Sequence, residues 1–151
     1  MKWIYIIIVI IVTIFILWFL GGIVFAAIFS RKKKRRDYAI FILAQLPEEI
    51  RKKLISILVA YKNNDVEKVN NIVVTIESSQ INQLLGLIGS QNRPKQFSSG
   101  KFGDNLAWTA GENALQRRGY TINASKIITG IILHYLDVVL MEIKEKTINE
   151  K

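Results

Sequence analysis

The sequence predicts an all-α protein: one N-terminal transmembrane helix followed by a small helical domain of about four to five helices. Three observations carry this reading. Residues 3–29 contain no charged side chain. A run of six cations follows almost at once. Beyond it, apolar residues recur at spacings of three and four, without convincing period-two alternation.

The apolar run reads WIYIIIVIIVTIFILWFLGGIVFAAIF. A bilayer core needs about 20 apolar residues, so this stretch is long enough to cross with some tilt. Trp3 and Tyr5 sit near one end, where interfacial aromatics belong, whereas Trp18 lies within the span. A cleaved signal peptide fits poorly. Its apolar core is about 7–15 residues with a small-residue cleavage site after it, and Ala26-Ala27 is a weak site. Gly22, Ala26 and Ser30 recur every four residues, a spacing that lets two membrane helices approach closely.

The cations are Arg31, Lys32, Lys33, Lys34, Arg35 and Arg36, against Lys2 alone on the other flank. The positive-inside bias then places the N-terminus outside and the C-terminal domain in the cytoplasm. The same collar suits anionic lipid headgroups. Beside a membrane span, it reads as a stop-transfer and orientation signal rather than a nuclear-localisation patch. The organisation expected is thus a signal-anchor over 1–30, a basic juxtamembrane stretch over 31–36 and a helical domain over 37–151.

Within 37–151, DYAIFILAQL (37–46) continues the apolar character up to Pro47, which disfavours helix at Leu46 and suits the first turn of a new one. Ile50, Leu54, Ile57, Leu58 and Tyr61 form one apolar stripe. Glu48 and Glu49 stand four residues before Lys52 and Lys53, the favourable ion-pair order. Asn63-Asn64 marks a loop, and Asp65 is an N-cap candidate for a helix burying Val66, Val69, Val73 and Ile76. Ile81, Leu84, Leu85 and Ile88 mark a short helix that Gly89 can end.

Residues 89–104 are rich in Gly, Pro, Ser and Asn and predict a long loop. Asp104 is placed to cap a helix reaching Arg118, with Gly119 in the left-handed C-terminal position and Leu106, Ala110, Ala114 and Trp108 facing inward. A last helix is expected over about 124–146. Its stretch 127–143 is apolar almost all round, which predicts a buried core helix or an oligomer interface. As a second membrane span this stretch is short and holds His134 and Asp137.

No cysteine and one histidine exclude disulfides, thiolate sites and multi-histidine metal sites. No metal or cofactor is expected. His134 and Asp137 stand three apart on one expected helix face, two members of a hydrolase triad. No serine lies in a nucleophile-turn context, so a core histidine bonded to its helical neighbour is the favoured reading and no enzyme activity is expected. Asn123-Ala124-Ser125 matches a glycosylation acceptor, but on the side expected to face the cytoplasm.

Net charge is +9 overall, yet residues 37–151 hold 14 cations against 12 acids. The one local excess lies in Arg93, Lys95, Lys101, Arg117, Arg118 and Lys126, with Phe97, Phe102, Trp108 and Tyr120 between them. Cations interleaved with aromatics suit a polyanion. The expected function is a single-pass membrane-anchored interaction or scaffold protein, a structural subunit of a membrane-associated or virion-membrane assembly. Its expected partners are the lipid bilayer and either another protein or further copies of itself. A membrane-tethered nucleic-acid-binding, DNA-organising role is the alternative.

Overall fold

A computed structural model describes the backbone of residues 2–89 and 101–150, and the side chains of 3–89 and 106–150. The chain divides into two compact units, Met1–Lys34 and Arg35–Lys151. Among the described residues all regular structure is helical: α1 (Lys2–Ala44), α2 (Glu48–Lys62), α3 (Val66–Val74), α4 (Ser78–Ile88), α5 (Lys101–Arg117), α6 (Ile122–Leu133) and α7 (Leu136–Asn149).

The first unit is the apolar part of α1, a helix long and apolar enough to cross a membrane. Every side chain from Trp3 to Lys34 is exposed. In water such a surface is ruinous, because apolar area costs about 25 cal/mol per Å² when solvated. Within the run the Thr13 hydroxyl is satisfied locally: Thr13 Oγ1 donates to the Val9 carbonyl at 2.8 Å. That bond to the preceding turn hides the hydroxyl as a lipid environment requires.

The second unit begins in the last turns of α1. Ala39, Ile42, Leu43 and Leu46 are buried in one core with residues of α2, α3, α4, α6 and α7. Gln45 and Leu46 form a turn, and Pro47 in extended conformation (φ −55°, ψ 149°) starts α2. The α2 stripe is buried as its spacing predicts, with Ile50, Leu54, Ile57 and Leu58 inward and Tyr61 half-buried. Both expected ion pairs form, Lys52–Glu48 at 2.8 Å and Lys53–Glu49 at 3.2 Å. Asp65 caps α3 by accepting from the Lys68 backbone N–H at 3.1 Å.

Three features differ from expectation. Helix α5 begins at Lys101, inside the stretch expected to be loop, while residues 90–100 of that stretch lie outside the described residues. The inward face of α5 is Trp108, Gly111 and Leu115 rather than Leu106, Ala110 and Ala114, which are exposed. Trp108 and Leu115 lie seven apart, so they and Gly111 share one face. Burying an indole removes far more apolar area from water than burying alanine methyls, and this sets the rotation of the helix. Gly111 sits at the contact with α6, where a Cβ would meet Thr129 Cγ2 at 3.2 Å.

The third difference is the last helix. It is two helices, α6 and α7, bent by 85° at His134-Tyr135. Among the described residues six helices therefore follow α1. Tyr135 takes a left-handed φ of +62°, unusual for a bulky residue. The break lets α6 contact α3, α4 and α5 while α7 turns back onto α2. The apolar excess of 127–143 is explained by two helices burying different faces: Ile127, Ile128 and Ile131 from one, Leu136, Val139 and Leu140 from the other.

Candidate functional site

The small-residue face of α1 is open in the isolated chain. A Cβ added at Gly22 would meet nothing within 4 Å, and Ala26 and Ser30 are exposed. The helix surface at these positions thus has room for a second helix backbone.

The basic collar divides chemically. Among the described residues Arg31, Lys32, Lys33 and Lys34 are exposed and make no ion pair. Arg36 belongs to the helical domain: its Nη2 and Nε both donate to Glu142 Oε2, at 2.8 and 3.2 Å. This pair joins the end of α1 to α7. Both side chains are well exposed, so it is worth at most about 1 kcal/mol.

The six cations of the polyanion candidate are not gathered into one described patch. Arg93 and Lys95, with Phe97, lie outside the described residues, as do the side chains of Lys101 and Phe102. Arg117 and Lys126 are exposed. Arg118 is engaged within the fold. Its Nη2 donates to Asn64 Oδ1 at 2.8 Å, and its guanidinium stands 5.8 Å from the Tyr61 ring and 5.6 Å from the Tyr120 ring. Those rings are 6.0 Å apart, and Tyr120 is buried. Two of the interleaved aromatics, Trp108 and Tyr120, are therefore core residues rather than stacking platforms.

Next to Arg118 lies a polar clasp that sequence reasoning missed. Asn70 of α3 donates from Nδ2 to the Gly119 carbonyl and accepts at Oδ1 from the Thr121 N–H, both at 3.0 Å. Gly119 has φ +96°, the left-handed position expected of it. Thr121 caps α6 by accepting from the Ala124 N–H at 3.3 Å. A threonine three residues ahead of an apolar helical run was the available signal for that cap. Nothing in the local pattern marks Asn70, because its partners are 49 and 51 residues away.

His134 and Asp137 do not share a continuous helix. His134 ends α6, and Asp137 opens α7 beyond the break. The expected bond between them is not made; the polar groups that act on the ring are the backbones of Gly89 and Ile88, at geometry short of a full hydrogen bond. The ring is 3% exposed, stacked at 6.1 Å on Tyr38 and edge-on at 5.5 Å to Trp108. Burial pushes its pKa below the usual value, and the backbone of Gly89 and Ile88 opposes this more weakly. A neutral, enclosed imidazole between two rings is a packing element. Among the described residues no group of three carboxylate or imidazole side chains is placed to hold a metal ion.

Comparison of the chain with protein-family models, with curated proteins and with solved structures finds no match.

Proposed function

We propose that this protein is a single-pass membrane anchor that holds a small helical domain at the cytoplasmic face, where the domain serves as an interaction or scaffold module in a membrane-associated assembly. One observation carries the reading. The stretch Trp3–Phe29 is helical, uncharged and wholly exposed, and a basic collar follows it in which Arg31, Lys32, Lys33 and Lys34 are exposed and make no ion pair among the described residues. Lipid is the solvent such a surface fits, and the charge asymmetry sets the side on which the domain lies. Among the described residues the domain contributes a well-filled core and no assembled catalytic group, which favours binding over catalysis.

The nucleic-acid alternative is less well supported, because Arg118 is spent on Asn64 and two tyrosine rings. The test uses the full chain inserted into sealed vesicles. External protease should digest the domain only when it lies on the face corresponding to the cytoplasm, and alkaline carbonate should not extract the protein. Purification from its source in mild detergent should yield a protein partner or a defined oligomer in fixed stoichiometry. Extraction by carbonate, or protection of the domain in cytoplasm-outward vesicles, overturns the anchor and its orientation. A salt-sensitive DNA complex in place of a protein partner overturns the scaffold role.

A further inference from the structure

Helices α2 and α7 enclose a groove of about 560 Å³ on the helical domain. On α2 its lining runs from Glu48 to Ser56, and on α7 from Leu140 to Ile148. Each wall is thus about two helical turns, roughly 12 Å, long. The apolar lining that solvent reaches is Ile55, Ile143 and Ile148, while Leu140 is fully buried. Ile148 stands at the rim, 62% exposed.

The charges around this floor are unbalanced. Glu48 is the one acid in the lining, and it is already paired with Lys52. Arg51 on one wall and Lys144 on the other make no ion pair among the described residues. Arg51 Nε is buried from solvent with no hydrogen-bond partner. A buried guanidinium nitrogen left unpaired costs free energy, and a carboxylate is the group that its planar fork fits best.

We infer that this groove is the docking site for an acidic amphipathic helix of a partner protein. The partner helix lays an apolar stripe at i, i+3 or i+4, and i+7 over Ile55, Ile143 and Ile148. Its flanking Glu or Asp carboxylates meet Arg51 and Lys144. An apolar stripe of that spacing covers about 10 Å, which matches the walls. The shape selects a helix over a lipid chain. The groove is open along one side, so a helix can bury one face there and keep the other in water. A fatty acid or lysolipid needs most of its surface enclosed.

The inference rests on the proposed interaction role and names the surface that performs it. The test presents a display library of helical peptides, randomised in apolar and charged positions, to the full chain in phosphatidylcholine nanodiscs. Selected peptides should carry the apolar stripe flanked by acids. Their affinity should fall about tenfold for each of Arg51→Gln, Lys144→Glu and Ile148→Asp. Lys144 and Ile148 lie at the groove edge, so their variants should keep the wild-type helical circular dichroism and melting curve. Raising salt from 50 to 500 mM should weaken the wild-type complex and leave Lys144→Glu less affected.

No enrichment, enrichment of basic peptides, or binding indifferent to Lys144→Glu and Ile148→Asp overturns the inference. So does competition by laurate or lysophosphatidylcholine with no peptide selected. The scaffold reading fails separately. If a partner co-purifies in fixed stoichiometry and stays bound to the Lys144→Glu/Ile148→Asp double variant, the groove is wrong and the scaffold stands.

Discussion

The His134 imidazole has an ordinary value of 6.5 from which burial lowers it. In the unfolded chain the ring takes up a proton as pH falls through about 6.5, whereas in the folded domain it does so only at lower pH. Between those two values the unfolded state binds more protons, so stability rises with pH there. The stability is whole above about 6.5 and declines as pH drops towards the folded value. Urea midpoints at pH 7.5 and 5.5 should therefore differ in the wild type, and His134→Phe, which keeps a ring between Tyr38 and Trp108, should shrink the difference. Two glycines make a matched pair. A Cβ at Gly130 would lie 2.5 Å from the Ile88 carbonyl oxygen, so Gly130→Ala should destabilise by about 1–3 kcal/mol through overpacking. Gly86 meets nothing and lies inside α4, so Gly86→Ala should stabilise by about 0.5–1 kcal/mol through lower backbone entropy in the unfolded chain. Thermal or urea unfolding of the three single variants reads the signs directly.

At the scale of elements, the stripes of α2, α3 and α4 were legible because their apolar periodicity is local and their caps and ion pairs are written within four residues. Asp65, Glu48 and Glu49 all act where the spacing places them. The rotation of α5 was not legible. Leu106, Ala110 and Ala114 make as regular a pattern as Trp108, Gly111 and Leu115, and the choice rests on burial of the Trp108 indole and the close approach of Gly111 to Thr129. The bend at Tyr135 was hidden for a related reason. No Gly or Pro marks it, and the continuous apolar run looks like one buried helix when it is two helices facing different neighbours. The polyanion candidate was the least legible site, since a cation's partner across the fold leaves no trace in spacing. The clasp between α3 and the α5–α6 turn also supplies a prediction at this scale. Asn70→Ala removes the donor to the Gly119 carbonyl and the acceptor for the Thr121 N–H. The loss should be about 1–2 kcal/mol, measured as a lower urea midpoint with unchanged slope.

For the whole molecule, the charge that makes the chain look basic resolves into two roles. Arg31, Lys32, Lys33 and Lys34 are exposed and carry the orientation bias in the anchor proposed above, whereas Arg36 is tied to Glu142. Replacing the first four by Gln and placing four lysines ahead of Trp3 should invert the protein in the bilayer. Protease accessibility in sealed vesicles then reports the domain on the opposite side, with the domain's own melting curve unchanged.

The clasp also orders events in time. Asn70 meets Gly119 and Thr121, and Asn64 meets Arg118, at sequence separations of 49 to 54. Closing a segment of that length costs chain entropy before any bond repays it. The neighbouring pairs α2–α3 and α5–α6 have short connections and are expected to form first. The joining of α6 to α3 and α4 is then expected on the native side of the folding barrier. Asn70→Ala should accordingly speed unfolding and leave refolding nearly unchanged. During synthesis α3 is made before Gly119 and Thr121, so Asn70 has neither clasp partner until that turn follows it out of the ribosome.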